Sequence, residues 1–143
     1  MKLYLVRHGH APLQMDDHGR SLSEQGRAQV KQLAQRLLEE GAANIAIYHS
    51  GLLRAQQTAD ILAQQLGSTP QQLAGLRPDD IVDIIVAEAS TWQTDTLLVS
   101  HLPYLPQLLE ALCPTGHYVE FHTATAVCLE STANGWRMVK KVG

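Results

Sequence analysis

The chain has 143 residues, 45% of them hydrophobic and only 17% charged, with a formal net charge of -3. That balance belongs to a globular chain able to bury one core, and it lacks the basic excess that draws a protein to nucleic acid or to an anionic membrane. No apolar run approaches the roughly 20 residues of a membrane-spanning helix, and Leu3 to Val6 is too short for a signal-peptide core. The expectations are one domain over residues 1–143, a cytoplasmic location, and reduced core thiols at Cys113 and Cys128, which form no CxxC pair.

Leu3 to Val6 predicts a short buried strand, and the polar stretch from His8 to Arg20 a loop. A helix follows. Ser23 is a candidate N-cap, Ser21 with Glu24 is a competing capping box, and Val30, Leu33, Ala34, Leu37 and Leu38 make one apolar stripe that stops at Gly41. Ile45 to Tyr48 predicts a second strand. Ala55, Ala59, Leu62 and Leu66 then share the face of a second helix closed by Gly67, which sets Arg54 near a helix N-terminus. Leu73 to Leu76 reads as a minor strand, and Pro78 as the start of a third helix with Ile81, Val82, Ile84, Ile85, Ala89 and Trp92 on its inner face. Thr96 to His101 reads as a third main strand ending in histidine, and Pro103 to Leu112 as a helix stopped before Pro114. Thr125 to Glu130 and Trp136 to Val142 form a hairpin around Asn134-Gly135. The alternation predicts an α/β fold in three layers, α/β/α, with a mainly parallel central sheet and a C-terminal antiparallel hairpin; it does not give the strand order.

Ligands of open α/β sheets bind beyond the carboxyl ends of the strands. Three buried runs end there in polar groups, LYLVRHGH, IAIYHSGLLR and LLVSHLP, so Arg7, His8, His49, Arg54 and His101 are candidates for one shared crevice. Guanidinium groups match phosphate oxygens in bidentate fashion, and a helix N-terminus beside Arg54 adds N–H donors and a favourable dipole. A neutral imidazole supplies a nucleophile, while arginines and a second, protonated histidine neutralise the equatorial oxygens of a transferring phosphoryl group. That chemistry calls for neither metal nor cofactor. Seven histidines raise zinc as a rival, yet His8 and His10 sit two apart on a loop, no HExxH or tight Cys/His set occurs, and the arginines would repel a cation. A Ser-His-Asp hydrolase lacks its GxSxG elbow. His10, His18, His117 and His122 read as loop or surface residues.

These motifs resemble the histidine phosphatase superfamily, in the branch that also contains the cofactor-dependent phosphoglycerate mutases. Arg7-His8-Gly9 matches its signature, SGLLRAQQTA its second-arginine helix, and SLSEQGRAQ the helix start after the first loop. The short length, SHLP around the second histidine and the tail FHTATAVCLES are similar to the SixA-type phosphohistidine phosphatases. The resemblance implies a phosphoglycerate mutase-like fold without a cap domain, and His8 as the phosphoryl-accepting nucleophile. It implies Arg7, Arg54 and His101 around the transferred group, with Gly9, Arg20 and the backbone N–H of Leu102 as further members of the pocket. It also implies no metal and no cofactor, and a phosphohistidine-bearing partner, either a phosphotransfer domain or a phosphocarrier.

Two positions depart from the family pattern. His49 stands where a small residue is usual, either as a solvent-facing strand end or as a substrate contact, and Gly51 stands where proline is common. Larger members also supply a glutamate acid from an insertion after the arginine helix. Here Gly67 to Thr96 leaves no room for a helical cap, and Glu88, Asp79, Asp80 and Asp83 read either as acids or as the solvated face of a helix. A missing acid is informative: a sugar or serine alkoxide needs a proton in the transition state, whereas the imidazole of phosphohistidine departs as a neutral base once protonated. An open crevice suits a phosphorylated side chain on another protein. A small phosphomonoester with one of those carboxylates as acid is the alternative, and a non-catalytic phosphate-binding module a third reading, disfavoured by His8 because simple binding needs no nucleophile.

Overall fold

The computed structural model describes residues 1–14, 19–114 and 118–143; His18 and His117 therefore lie outside the described residues. The elements are β1 (Lys2–Arg7), α1 (Glu24–Glu39), β2 (Ala46–His49), α2 (Leu53–Leu66), β3 (Gln71–Gln72), α3 (Asp83–Ala89), β4 (Thr96–Ser100), α4 (Tyr104–Leu112), β5 (Ala126–Thr132) and β6 (Gly135–Val142). The strands form one open sheet in the order β3-β2-β4-β1-β5-β6. The first four run parallel, while β5 and β6 are antiparallel to their neighbours. This is the mixed α/β architecture that the alternating pattern predicts.

Both sheet faces are covered, and the period of two sorts the residues between them. Tyr4, Val6, Ile47, Leu97, Val99, Ala126 and Cys128 pack under the apolar stripes of α1 and α2. Leu3, Leu5, Leu98, Val127 and Leu129 pack on the other side with residues of α3 and α4. Leu5 and Leu98 are register partners with no exposed surface, and burial of each such side chain stabilises the fold by about 1.5–3 kcal/mol. Cys113 and Cys128 are both buried in the core.

Several boundaries differ from the sequence expectation for identifiable reasons. Ser23 caps α1, its hydroxyl accepting the Gly26 N–H, so the competing box at Ser21 is not used. Leu38, at the edge of the α1 stripe, is 41% exposed. The minor strand is Gln71–Gln72 rather than Leu73–Leu76: Leu73 donates one last bond to the His49 carbonyl, and Gly75, at φ +100, then turns Leu76 down into the core. The third helix starts at Asp83 rather than Pro78, because the Asp80 carboxylate accepts the Arg77 N–H and holds residues 77–80 in a turn. Its inner face is accordingly narrower, with Ile85 and Ala89 buried and Ile81 and Ile84 exposed.

Candidate active site

The three polar strand ends meet because β4 lies between β1 and β2. Arg7 pairs in register with Ser100, and His49 with Val99, so the chain leaves all three strands at one edge of the sheet. The His8 N–H donates to the Ser100 carbonyl at 3.3 Å, and the His8 and His101 rings stand with centroids 5.1 Å apart. Arg54 lies in the first turn of α2, which starts just after β2, and is buried. Parallel pairing thus brings together His8, His101 and Arg54, which are far apart in the chain.

His8 is 4% exposed, and its Nδ1 is 2.8 Å from the Gly9 carbonyl oxygen. A carbonyl oxygen only accepts, so Nδ1 carries the hydrogen and the Nε2 lone pair is left for a reacting atom. Burial pushes the His8 pKa down to about 4, with the positive charges of Arg54, Arg7 and Arg20 acting in the same direction and the Gly9 carbonyl opposing them. His8 is therefore neutral near pH 7, as a nucleophile must be.

His101 is 1% exposed and is driven further, to about 2, by burial, by His8 and by the three arginines Arg54, Arg20 and Arg7. The sequence reading has this second histidine protonated; in the protein by itself it is neutral, because burial removes the water that would solvate an imidazolium and the guanidinium groups repel it. A neutral imidazole still donates from whichever nitrogen carries its hydrogen, so a phosphoryl oxygen can be stabilised without full protonation of the ring.

Backbone packing holds the loop that carries these groups. The Gly9 N–H donates to the Thr58 hydroxyl at 3.1 Å, and that hydroxyl donates to the Arg54 carbonyl at 2.8 Å, tying the His8 loop to the Arg54 helix. A Cβ on Gly9 would lie 2.7 Å from a Val30 methyl and 2.8 Å from the Gly26 carbonyl, and one on Gly26 would strike the His10 carbonyl. The loop therefore rests directly on α1, which explains both glycines.

Arg7 donates from Nη1 to the Phe121 carbonyl at 2.9 Å, while its buried Nε has no hydrogen-bond partner. Arg20 donates to the Ala11 carbonyl at 2.7 Å, close enough to the site for its charge to act on both histidines. Leu102 follows His101 at the start of α4 and is 41% exposed.

His49 is not solvent-facing: β2 is flanked by β3 and β4, the side chain is 6% exposed, and its Nδ1 accepts the Gly51 N–H at 3.1 Å. Gly51 itself has φ +94, a value the proline ring forbids, so glycine is needed in this turn. Glu88 and Asp79 are exposed, on α3 and in the turn before it, and Asp80 is engaged with Arg77. Among the described residues, no carboxylate is among the charges that bear most strongly on His8 and His101. His10 bonds through Nδ1 to the Ser23 hydroxyl at 2.7 Å, and His122 is exposed beside Glu120.

Two functional neighbours escape the sequence reading. Thr58 is one, and its signal is its place four residues after Arg54, one helical turn along the same face. Ser50 is the other: it is 2% exposed, with its hydroxyl 2.6 Å from Nε2 of His101. Its signal is its position at a strand end, directly before the turn into the arginine helix. Among the described residues, no group of His, Cys, Asp or Glu side chains is arranged to hold a metal ion, and no helix is long and apolar enough to cross a membrane.

Comparison with known proteins agrees with this fold. Residues 3–84 match the model of the histidine phosphatase superfamily, branch 1. An uncharacterized protein of Picosynechococcus is 37% identical, over 93% of this chain and 87% of its own length. Phosphohistidine phosphatase SixA of Escherichia coli is 28% identical over 96% of this chain and 93% of that protein. The structure of the protein histidine phosphatase SixA complexed with tungstate superposes with a TM-score of 0.92, covering 100% of this chain and 97% of the other at 24% identity. With the matched segment spanning β1 through the start of α3 and carrying Arg7, His8 and Arg54, the chain belongs to branch 1 of the histidine phosphatase superfamily.

Proposed function

We propose that the protein removes phosphate from phosphohistidine on a partner protein, through a covalent phosphoryl intermediate on His8. Membership of the superfamily supports a phosphatase hydrolase, and the similarity to SixA supports the finer substrate assignment. The observation that carries the mechanism is the Nδ1–H bond from His8 to the Gly9 carbonyl, which leaves Nε2 unprotonated inside a cluster of arginines. Nε2 attacks phosphorus, the P–N bond of the substrate breaks, and the substrate imidazole departs as a neutral base carrying the proton on its other nitrogen. Water then attacks phospho-His8, forming a P–O bond and breaking the P–N bond, which releases phosphate and restores the neutral ring.

Arg7, Arg54 and Arg20 balance the charge on the transferred oxygens, so the reaction needs no metal in this reading. Gly9 and the Leu102 N–H serve the same pocket in this reading, and His49 supports the turn before α2 by accepting the Gly51 N–H. A cytoplasmic location and one domain over residues 1–143 go with this proposal.

The test is phosphate release from a phosphohistidine-bearing phosphocarrier and from p-nitrophenyl phosphate in parallel, without added metal. The phosphohistidine protein is expected to be strongly preferred, and His8→Ala to lower its turnover by about a thousandfold or more. Hydrolysis at full rate in His8→Ala would overturn the intermediate. Equal rates on the two substrates would instead favour a small-molecule phosphomonoesterase.

A further inference from the structure

The pair formed by Ser50 and His101 is more tightly specified than a chance contact between neighbours. Ser50 is 2% exposed, His101 is 1% exposed, and the hydroxyl oxygen lies 2.6 Å from Nε2. The same oxygen receives the Leu52 N–H at 3.3 Å, as α2 begins. On the far side of the ring, His101 Nδ1 is buried without a hydrogen-bond partner.

Only two proton arrangements are possible for a neutral ring. If Nε2 held the hydrogen, it would donate to Ser50, whose oxygen would then accept both from the ring and from Leu52, and the Ser50 hydrogen would need an acceptor elsewhere in a buried setting. A buried hydroxyl hydrogen left without an acceptor loses its water partner and gains nothing in return. If Ser50 donates to Nε2, the hydroxyl is satisfied as donor and acceptor together, and the ring hydrogen sits on Nδ1. Nδ1 is then a donor with no protein acceptor, beside His8 and among arginines, where a lone pair would do nothing for an anion.

We propose that Ser50 is a positioning residue: its hydroxyl donates to Nε2 of His101 and so fixes the tautomer in which Nδ1 carries the hydrogen offered to a phosphoryl oxygen. His8 and His101 then form a matched pair with opposite tasks. Backbone acceptance at Nδ1 leaves His8 a lone pair to attack with; hydroxyl donation at Nε2 leaves His101 a hydrogen to stabilise with. The turn that aims Ser50 depends on Gly51 at φ +94 and on the Nδ1 of His49 accepting the Gly51 N–H, so the residue that departs from the family pattern supports the one that orients the second histidine.

The tautomer can be read directly in the resting protein by long-range 1H–15N correlation of histidine ring signals. His101 is expected to show a pyrrole-like Nδ1 and a pyridine-like Nε2, with Nδ1 shifting when inorganic phosphate is added. Ser50→Ala is expected to lower kcat at least about tenfold with a smaller change in KM, and to lose the single tautomer; Ser50→Thr, which keeps the hydroxyl, restores most of the rate. A hydrogen on Nε2 in the unmodified protein would overturn the proposal, as would a Ser50→Ala protein with unchanged tautomer and kcat. Should Ser50→Ala fail to fold, the tautomer of the unmodified protein and its response to phosphate decide the matter alone. The rate arm rests on the phosphatase reading, whereas the tautomer arm needs no turnover, so failure of one is distinguishable from failure of the other.

Discussion

The floor of the crevice and its flank beyond β3 follow opposite rules. On the floor, His8, Ser50, Arg54 and His101 are each 4% exposed or less, fixed by strand register and by the first turn of α2. On the flank, residues 73–89 hold one two-turn helix, Ile81 is 66% exposed and Ile84 51%, and the carboxylates of Asp79 and Glu88 face solvent. Buried charge is expensive unless it is compensated, so the phosphoryl group of the proposed substrate would be a favourable occupant beside these guanidinium groups. The flank carries little regular structure beyond that helix. The two regions thus differ in what holds them: strand register and the start of α2 fix the floor, while local turns shape the flank.

The largest effect is expected at Arg54. Arg54→Lys keeps a positive charge but loses the planar fork, and kcat/KM on a phosphohistidine protein is expected to fall about a hundredfold. A change below threefold would mean that the floor supplies charge alone and not oriented hydrogen bonds.

A second effect follows from the burial of His8. Its pKa is about 4 when folded against the ordinary 6.5, so the unfolded chain binds a proton that the folded protein refuses. The contribution of His8 is complete above pH 6.5 and is lost as the pH falls toward 4, about 2–3 kcal/mol by pH 4.5, with His101 adding to it in the same direction. Urea unfolding at pH 7.5 and 4.5 measures the loss, which is expected to shrink in His8→Gln. An identical acid loss in that variant would show that His8 is solvated after all.

The smallest effect belongs to the flank. Asp79→Asn and Glu88→Gln are expected to leave turnover of phosphohistidine within about twofold, because a protonated imidazole leaves without help. Loss of a basic limb from the pH–rate profile in either variant would transfer the acid role to that carboxylate and join flank to floor.

Much of the site was legible because phosphoryl chemistry selects few residue types and places them at strand ends. Arg7, His8, Arg54 and His101 each follow an apolar run or open a helix, and a chain pattern shows that much. The second helix, with Arg54 in its first turn and Gly67 at its C-cap, agrees with the sequence reading for the same reason: local hydrogen bonds and side-chain period determine it. The segment from Leu73 to Ile84 departs from the sequence expectation because its conformation depends on competition between local patterns. Its apolar residues fit a strand or a helix equally well, and the Asp80 turn with the left-handed Gly75 decided otherwise.

By itself, the sequence determined the alternation of strands and helices, the covered, mainly parallel sheet, and the side chains Arg7, His8, Arg54 and His101 on which the proposed function draws. All of these rest on interactions within a few residues or on the chemistry of single side chains. Tertiary structure alone decided that β4 separates β1 from β2, that His101 is neutral, that His49 is buried, and that Ser50 faces the second histidine. Strand order, desolvation and a hydrogen bond across 51 positions depend on which distant segments become neighbours, and no local pattern contains that choice.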